Sequence, residues 1–170
     1  MDFVIRGIRA AEHARLGEIT ARAYLGGGLL DFGADDAYLP VLRDVARRAA
    51  EAEVLVAVAE GEVLGGVTFV PAGGPWADIA GPGEAEFRML AVAKEARGRG
   101  AGEALVRACL DRARETPGCG RLVLSTQRAM HGAHRLYGRL GFTRTPERDW
   151  SPVPGLDTLL TYARDLKPGI

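Results

Sequence analysis

Apolar and polar residues alternate over positions 3–9, as a strand with one buried face requires, and the period then lengthens. Over positions 10–25 the residues Ala14, Leu16, Ile19 and Ala23 recur at helical spacing, which predicts a helix after the strand. Gly26, Gly27 and Gly28 stop it, because three residues without a Cβ lose too much chain entropy to stay helical. A second helical pattern runs from about 35 to 53, which leaves the glycine break as an expected mobile loop.

Positions 54–59 and 63–71 are apolar, β-branched runs joined by Glu60, Gly61 and Glu62, a hairpin signature. A stretch rich in Pro, Gly and Ala over 71–83 carries Trp76 and reads as a long loop before a strand at 84–92. The remaining pattern predicts a helix at 102–115, a strand at 122–125, a helix at 129–140, and strands near 142–150 and 159–166. The order is neither strict βαβ alternation nor separate blocks, so the expected class is a mixed α/β sandwich. Its central strand–helix–strand unit is a parallel crossover, whose strand ends favour ligands.

The length, 170 residues, suits one domain spanning 1–170 with a core that needs no metal or disulfide. With 47% apolar and 26% charged residues, and apolar runs too short to cross a bilayer, the chain reads as soluble; the lack of a secretory start reads as cytoplasmic. The formal net charge is zero, so no global field draws it to nucleic acid or to an anionic membrane. Any anion site must be local. Cys109 lies in a helical pattern and Cys119 in a turn, with no CxxC pair, and both are expected to be reduced and structural.

Such a local site is offered by Arg97, Gly98, Arg99, Gly100, Ala101 and Gly102, which follow a strand and open a helix whose apolar side holds Leu105, Cys109, Leu110 and Ala113. A helix start leaves about four backbone N–H groups unpaired and carries about half a positive charge, so it suits phosphate. The glycines allow close approach, and Arg97 and Arg99 add charge. The plain alternative is an arginine-rich turn that only caps a helix. A dinucleotide fingerprint fails, since its last glycine position falls on Glu103 or Leu105, and no Gly-Lys-Ser/Thr follows for a P-loop. What remains is R-x-x-G-x-G.

Three segments now stand in order: Met89, Leu90, Ala91 and Val92; the glycine turn running on to Glu103, Ala104 and Leu105; and Ala133, His134, Arg135, Leu136, Tyr137, Gly138, Arg139, Leu140, Gly141 and Phe142. In these the sequence resembles the GNAT superfamily of N-acetyltransferases. The resemblance implies a largely antiparallel central sheet with a splayed parallel strand pair and flanking helices. It implies acetyl-CoA as the acetyl donor, with the pantetheine arm in the gap against the backbone of Leu90, Ala91 and Val92, and the pyrophosphate on residues 97–102. Met130 stands where the family often carries an asparagine, and Ser125 and Arg135 are the candidates to substitute for that polar contact with the donor.

Acetyl transfer needs a neutral amine, whereas an ordinary alkyl ammonium has a pKa of about 10.4, so a base or a water relay is required. On a regular strand Glu84, Glu86, Arg88, Leu90 and Val92 share one face, which aims Glu86 the same way as Leu90 and makes it the candidate base, with Glu84 second. The alternative is a Glu86 that only holds the strand. The resemblance gives Tyr137 the role of general acid toward the departing thiolate. His131 and His134 are three apart on a helix, but no carboxylate or thiol cluster completes a metal site. His13 reads as a surface residue, and Trp76, Trp150 and Phe32 as packing residues, of which Phe32 and Trp76 lie in loops able to border a substrate.

The expected acceptor is a primary amine on a small molecule or a peptide; neither nucleic acid nor membrane is an expected partner, and a homodimer is left open. Alternatives are a transferase for a longer acyl-CoA, because the pyrophosphate turn does not sense acyl length, and a non-catalytic CoA-binding sensor. Loops 26–32 and 71–83 are expected to border the acceptor, with Asp31, Asp35, Asp36 and Asp78 available to attract a cation.

Overall fold

The computed structural model describes residues 2–30, 32–154 and 158–166. Seven strands form one sheet: β1 (Val4–Gly7), β2 (Glu53–Ala59), β3 (Glu62–Pro71), β4 (Glu84–Val92), β5 (Arg121–Thr126), β6 (Thr143–Arg144) and β7 (Leu160–Asp165), in the spatial order β1-β2-β3-β4-β5-β7-β6. Every neighbouring pair is antiparallel except β4 and β5. The β2–β3 turn has Glu60 and Gly61 both at positive φ, 50° and 78°, the backbone that a twisted two-residue hairpin demands.

Of the five α-helices among the described residues, α1 (His13–Gly26), α2 (Tyr38–Arg43) and α3 (Val45–Glu51) pack together, whereas α4 (Ala101–Glu115) and α5 (His131–Arg139) follow the glycine turn and β5. The helix expected over 35–53 is thus two. Asp44 leaves the helical region and caps α3 by accepting the Arg47 N–H at 3.2 Å, a local bond that competes with helix continuation. The buried Arg48 donates from Nη1 to the Val41 and Leu42 carbonyls at 2.8 and 3.0 Å, serving the end of α2.

The expected strand over 142–150 shrinks to Thr143–Arg144, because Pro146 lacks the N–H a ladder needs and begins a 3-10 turn, Pro146–Arg148. Chain pairing resumes only at a Trp150–Leu159 bridge. The core on both sheet faces is Val, Leu, Ala and Phe, with Leu55, Leu105, Leu122 and Leu124 fully buried.

Two features of β4 position the site. Its parallel ladder with β5 spans only Glu84–Arg121, Ala85–Leu122 and Glu86–Val123, while β5 stays paired to β7 through Thr126. Beyond Glu86 the two strands part. On the other edge Thr68 faces Arg88 and Gly66 faces Ala91, so one β3 residue opposes two of β4, and Met89 takes φ +57° to absorb the extra residue. Gly65 and Gly66 allow the close approach: a Cβ on Gly65 would meet the Ala91 carbonyl at 2.5 Å, and one on Gly66 would meet Leu16 at 2.7 Å.

Candidate active site

The bulge corrects the expected geometry of β4. Inserting one residue reverses side-chain alternation, so Glu86 and Leu90 point to opposite faces rather than the same one. Arg88 and Met89 both turn toward α1 and α2, Arg88 reaching the Tyr38 hydroxyl at 3.0 Å and Met89 packing with Ala21, Leu39 and Leu42. Phe87 and Val92 lie on the other side, Phe87 with its ring 5.9 Å from that of Tyr137 and Val92 beside Gly102 of α4.

At the end of the parted strand the chain makes a short 3-10 turn, Lys94–Ala96, and enters the glycine turn. Gly98 and Gly100 both sit at φ +85°, a conformation that side chains with a Cβ rarely adopt, and Gly100 is the residue from which α4 starts. The side of the turn is open: residues 97–100 are exposed, and the first N–H groups of α4 have no intrahelical partner. Arg99 pairs with Asp2, and Arg97 is exposed. A parted strand edge leading to a glycine-rich helix start matches the needs of a long amide-bearing arm ending in a pyrophosphate.

Tyr137 of α5 lies under the gap. Its ring stands 5.9 Å from Phe87 of β4 and 5.7 Å from Tyr162 of β7, so it spans the strands on either side of β5. The residue is buried, which pushes its hydroxyl up from the ordinary tyrosine value. Ser125, expected to touch the donor, accepts the Trp150 indole N–H at 2.9 Å. His134 joins its Nε2 to the Gln127 carbonyl at 3.0 Å, and burial holds its pKa below the ordinary value. Met130, in the place of the family asparagine, begins α5 and takes a weak contact from the Thr126 hydroxyl at 3.7 Å.

Glu86 is fully buried, at 0% exposure. Its Oε1 accepts the backbone N–H groups of Asp78, Ile79 and Ala80 at 2.9, 2.9 and 3.1 Å, while Oε2 is sealed and meets no partner. Burial raises the Glu86 pKa against the opposing pull of those three donors. Glu84, the second candidate, is bound through both oxygens by Arg148 at 2.9 and 2.8 Å; despite its desolvation, that pairing holds it below the usual carboxylate range.

The loop over 72–83 is therefore well tied. Trp76 donates its indole N–H to Glu51 at 3.0 Å and lies between the guanidinium groups of Arg47 and Arg88, 5.9 and 5.7 Å from its ring. Asp78 pairs with Arg88 at 3.1 Å, and Asp36 accepts the N–H groups of Phe32 and Tyr38, so these two loop acids already have structural work. Asp31 lies outside the described residues. Phe32 is 67% exposed. The sequence reading missed Arg88, Arg148 and Gln127. A signal existed for Arg88, which shares a face with Glu86 two residues away; none existed for the other two, whose partners are 64 and 98 residues distant.

Among the described residues no helix is long and apolar enough to cross a membrane. Comparison with the curated proteins finds none that matches in sequence. Solved structures of the same fold are numerous. An acetyltransferase of the GNAT family from Staphylococcus aureus Mu50 superposes with a TM-score of 0.73 at 16% identity, over 97% of this chain and 99% of that one. The yncA protein of Salmonella typhimurium, solved with its cofactor acetyl-CoA, gives 0.72 at 22% identity over 99% and 96%. A ribosomal-protein-alanine N-acetyltransferase from Brucella melitensis gives 0.71 at 23% identity over 96% and 99%. The family model of the acetyltransferase (GNAT) family matches residues 17–142, which takes in the bulged strand, the glycine turn and Tyr137, and the chain belongs to that family.

Proposed function

We propose that the protein is an acetyl-CoA-dependent N-acetyltransferase that moves the acetyl group directly to a primary amine. The observation that carries this reading is the parting of β4 from β5 beyond Glu86–Val123, with the open end of β4 leading into the glycine turn at the start of α4. Backbone groups of Leu90, Ala91 and Val92 hold the amides of the donor's arm, and the N–H groups of residues 98–102 hold its pyrophosphate. The neighbour solved with acetyl-CoA supports this choice of donor.

The amine nitrogen attacks the thioester carbonyl, the carbon–sulfur bond breaks, and the departing sulfur takes a proton from the Tyr137 hydroxyl. A free thiol has a pKa of about 8.5 and a tyrosine about 10, and burial raises the Tyr137 hydroxyl further, so donation requires a thiolate whose own basicity is raised by desolvation. The ammonium proton leaves by Glu86 or by a water relay. The sealed Oε2 and occupied Oε1 of Glu86 favour the relay.

The test is a panel of amines, amino acids, aminoglycosides and peptide N-termini offered with acetyl-CoA and read by thiol release. Release that depends on one class of amine supports the reading. Tight acetyl-CoA binding without release for any amine points to a CoA sensor, and faster release from a longer acyl-CoA points to another donor.

A further inference from the structure

The loop before β4 is attached to that strand by the strand's own charged side chains, in order. Arg88 donates to the Trp76 carbonyl at 2.9 Å and pairs with the Asp78 carboxylate at 3.1 Å. Two residues upstream, Glu86 takes the next three backbone N–H groups, those of Asp78, Ile79 and Ala80. Glu84, two residues further, accepts the Gly81 N–H at 3.0 Å, and its partner Arg148 donates to the Ile79 carbonyl at 2.8 Å. The three side chains share one face because they precede the bulge.

Glu86 is central to this arrangement. Three consecutive N–H groups converging on one oxygen form an anion nest, and a buried carboxylate holding such a nest is hard to replace with water, which has no route to Oε2. A general base must exchange its proton with substrate or solvent, and hydrogen-bond reach is the first requirement. Glu86 meets the requirements of a clamp and lacks that of a base.

We propose that Glu86 is a positioning residue which fixes the backbone of residues 78–80 as one wall of the amine site, and that it does not itself take the amine proton. This rests on the transferase reading only for the words amine site; the clamp itself stands on the hydrogen bonds. The wall includes Trp76 and Asp78, so the clamp sets which groups meet the acceptor.

The test compares Glu86→Gln, which keeps an acceptor oxygen for the nest, with Glu86→Ala, which does not. Amide hydrogen exchange of Asp78, Ile79 and Ala80 is read in the full-length protein, together with acetyl-CoA affinity by calorimetry. Kinetics follow with whichever panel amine is turned over. In Glu86→Ala the three amides are expected to exchange at least about tenfold faster while acetyl-CoA affinity holds, with KM for the amine raised more than kcat is lowered. Glu86→Gln is expected to restore protection and to return kcat to within a few-fold, with the acid limb of the pH profile in place.

Two results overturn the proposal. One is unchanged protection in Glu86→Ala. The other is a Glu86→Gln variant with protected amides, a kcat lowered about a hundredfold or more and a lost acid limb, which makes Glu86 the base. If no amine is acetylated even by the unaltered protein, the transferase reading fails, and hydrogen exchange still decides the clamp.

Discussion

The side-chain amide of Gln127 donates to the backbone carbonyl of Leu29 at 2.9 Å, across 98 residues of chain. It fastens the segment after α1 to the end of β5. The carbonyl of Gln127 meanwhile accepts from His134 of α5, the helix that carries Tyr137. Gln127→Ala should free the Leu29 segment at a cost of about 1 kcal/mol, the usual net value of one such bond. KM for the amine should rise several-fold with acetyl-CoA affinity unchanged. Steady-state kinetics paired with calorimetry checks this; a loss of acetyl-CoA binding alone would show that the segment serves the donor instead.

Gly100 and Gly102 should differ in how they fail. Gly100 is at φ +85°, so any side chain strains the turn, and Gly100→Ala should destabilise the fold by about 1 kcal/mol and weaken acetyl-CoA at least tenfold. Gly102 is helical, and a Cβ there would sit at an ordinary 3.7 Å from Val92. Gly102→Ala should therefore leave the melting temperature almost unchanged, and Gly102→Val should lower donor affinity by crowding the first turn. Arg97→Ala should do less than either, since an exposed charge is screened by salt. Calorimetric titration and thermal melting of the four variants separate these outcomes.

Tyr137→Phe should lower kcat by about a hundredfold or more, the usual contribution of a general acid, with donor affinity nearly unchanged. Near-normal kcat, with chemistry shown to be rate-limiting, would leave Tyr137 a packing residue against Phe87, Phe142 and Tyr162. The pH dependence has a definite sign. Burial raises the hydroxyl pKa, so the acid stays protonated through the alkaline range, and Tyr137 should cause no fall in kcat up to about pH 10. An alkaline limb near pH 9 that disappears in Tyr137→Phe would contradict that.

Acid should loosen the region around Trp150 and the first strand. Asp149 accepts two bonds from Arg144 at 2.8 Å each and one from the Thr161 N–H at 2.9 Å, and the Arg144 pairing holds its pKa down at about 2. Glu12, bonded by Arg6, is held at about 2 as well. Both folded-state values lie below the unfolded ones, so the stability they supply is complete above about pH 5 and is lost as the pH falls toward 2. Asp149→Ala should cost about 2 kcal/mol at neutral pH and flatten that acid dependence. Denaturant unfolding at several pH values measures both.

Much of this arrangement was legible in the chain. The bounds of β4, 84–92, followed from composition and flanking turns, and the glycine turn announced a helix start because Gly100 and Gly102 admit few other uses beside a strand end. What could not be read was the bulge. Met89 is an ordinary strand residue by composition, and its positive φ is imposed by the register with β3, to which only Gly65 and Gly66 gave a hint. The face of Glu86 was consequently misjudged. The break between α2 and α3 escaped for a related reason, since Asp44 and Arg48 act on backbone groups and leave the apolar period almost intact.

The inserted residue at Met89 divides one strand into two halves with separate duties. Residues 84–88 grip the loop before the strand, and residues 90–92 lie where it has parted from β5; in the proposed function the first half serves the amine and the second the donor. If that function holds, changes upstream should alter what is acylated without disturbing the acyl carrier, and changes downstream the reverse. The two specificities would then drift independently within the nine residues of β4. Straightening the bulge with Met89 kept in the strand would abolish that independence in one step, because it would return Leu90 and Val92 to the face of Glu86 and set both duties on the same side of the sheet.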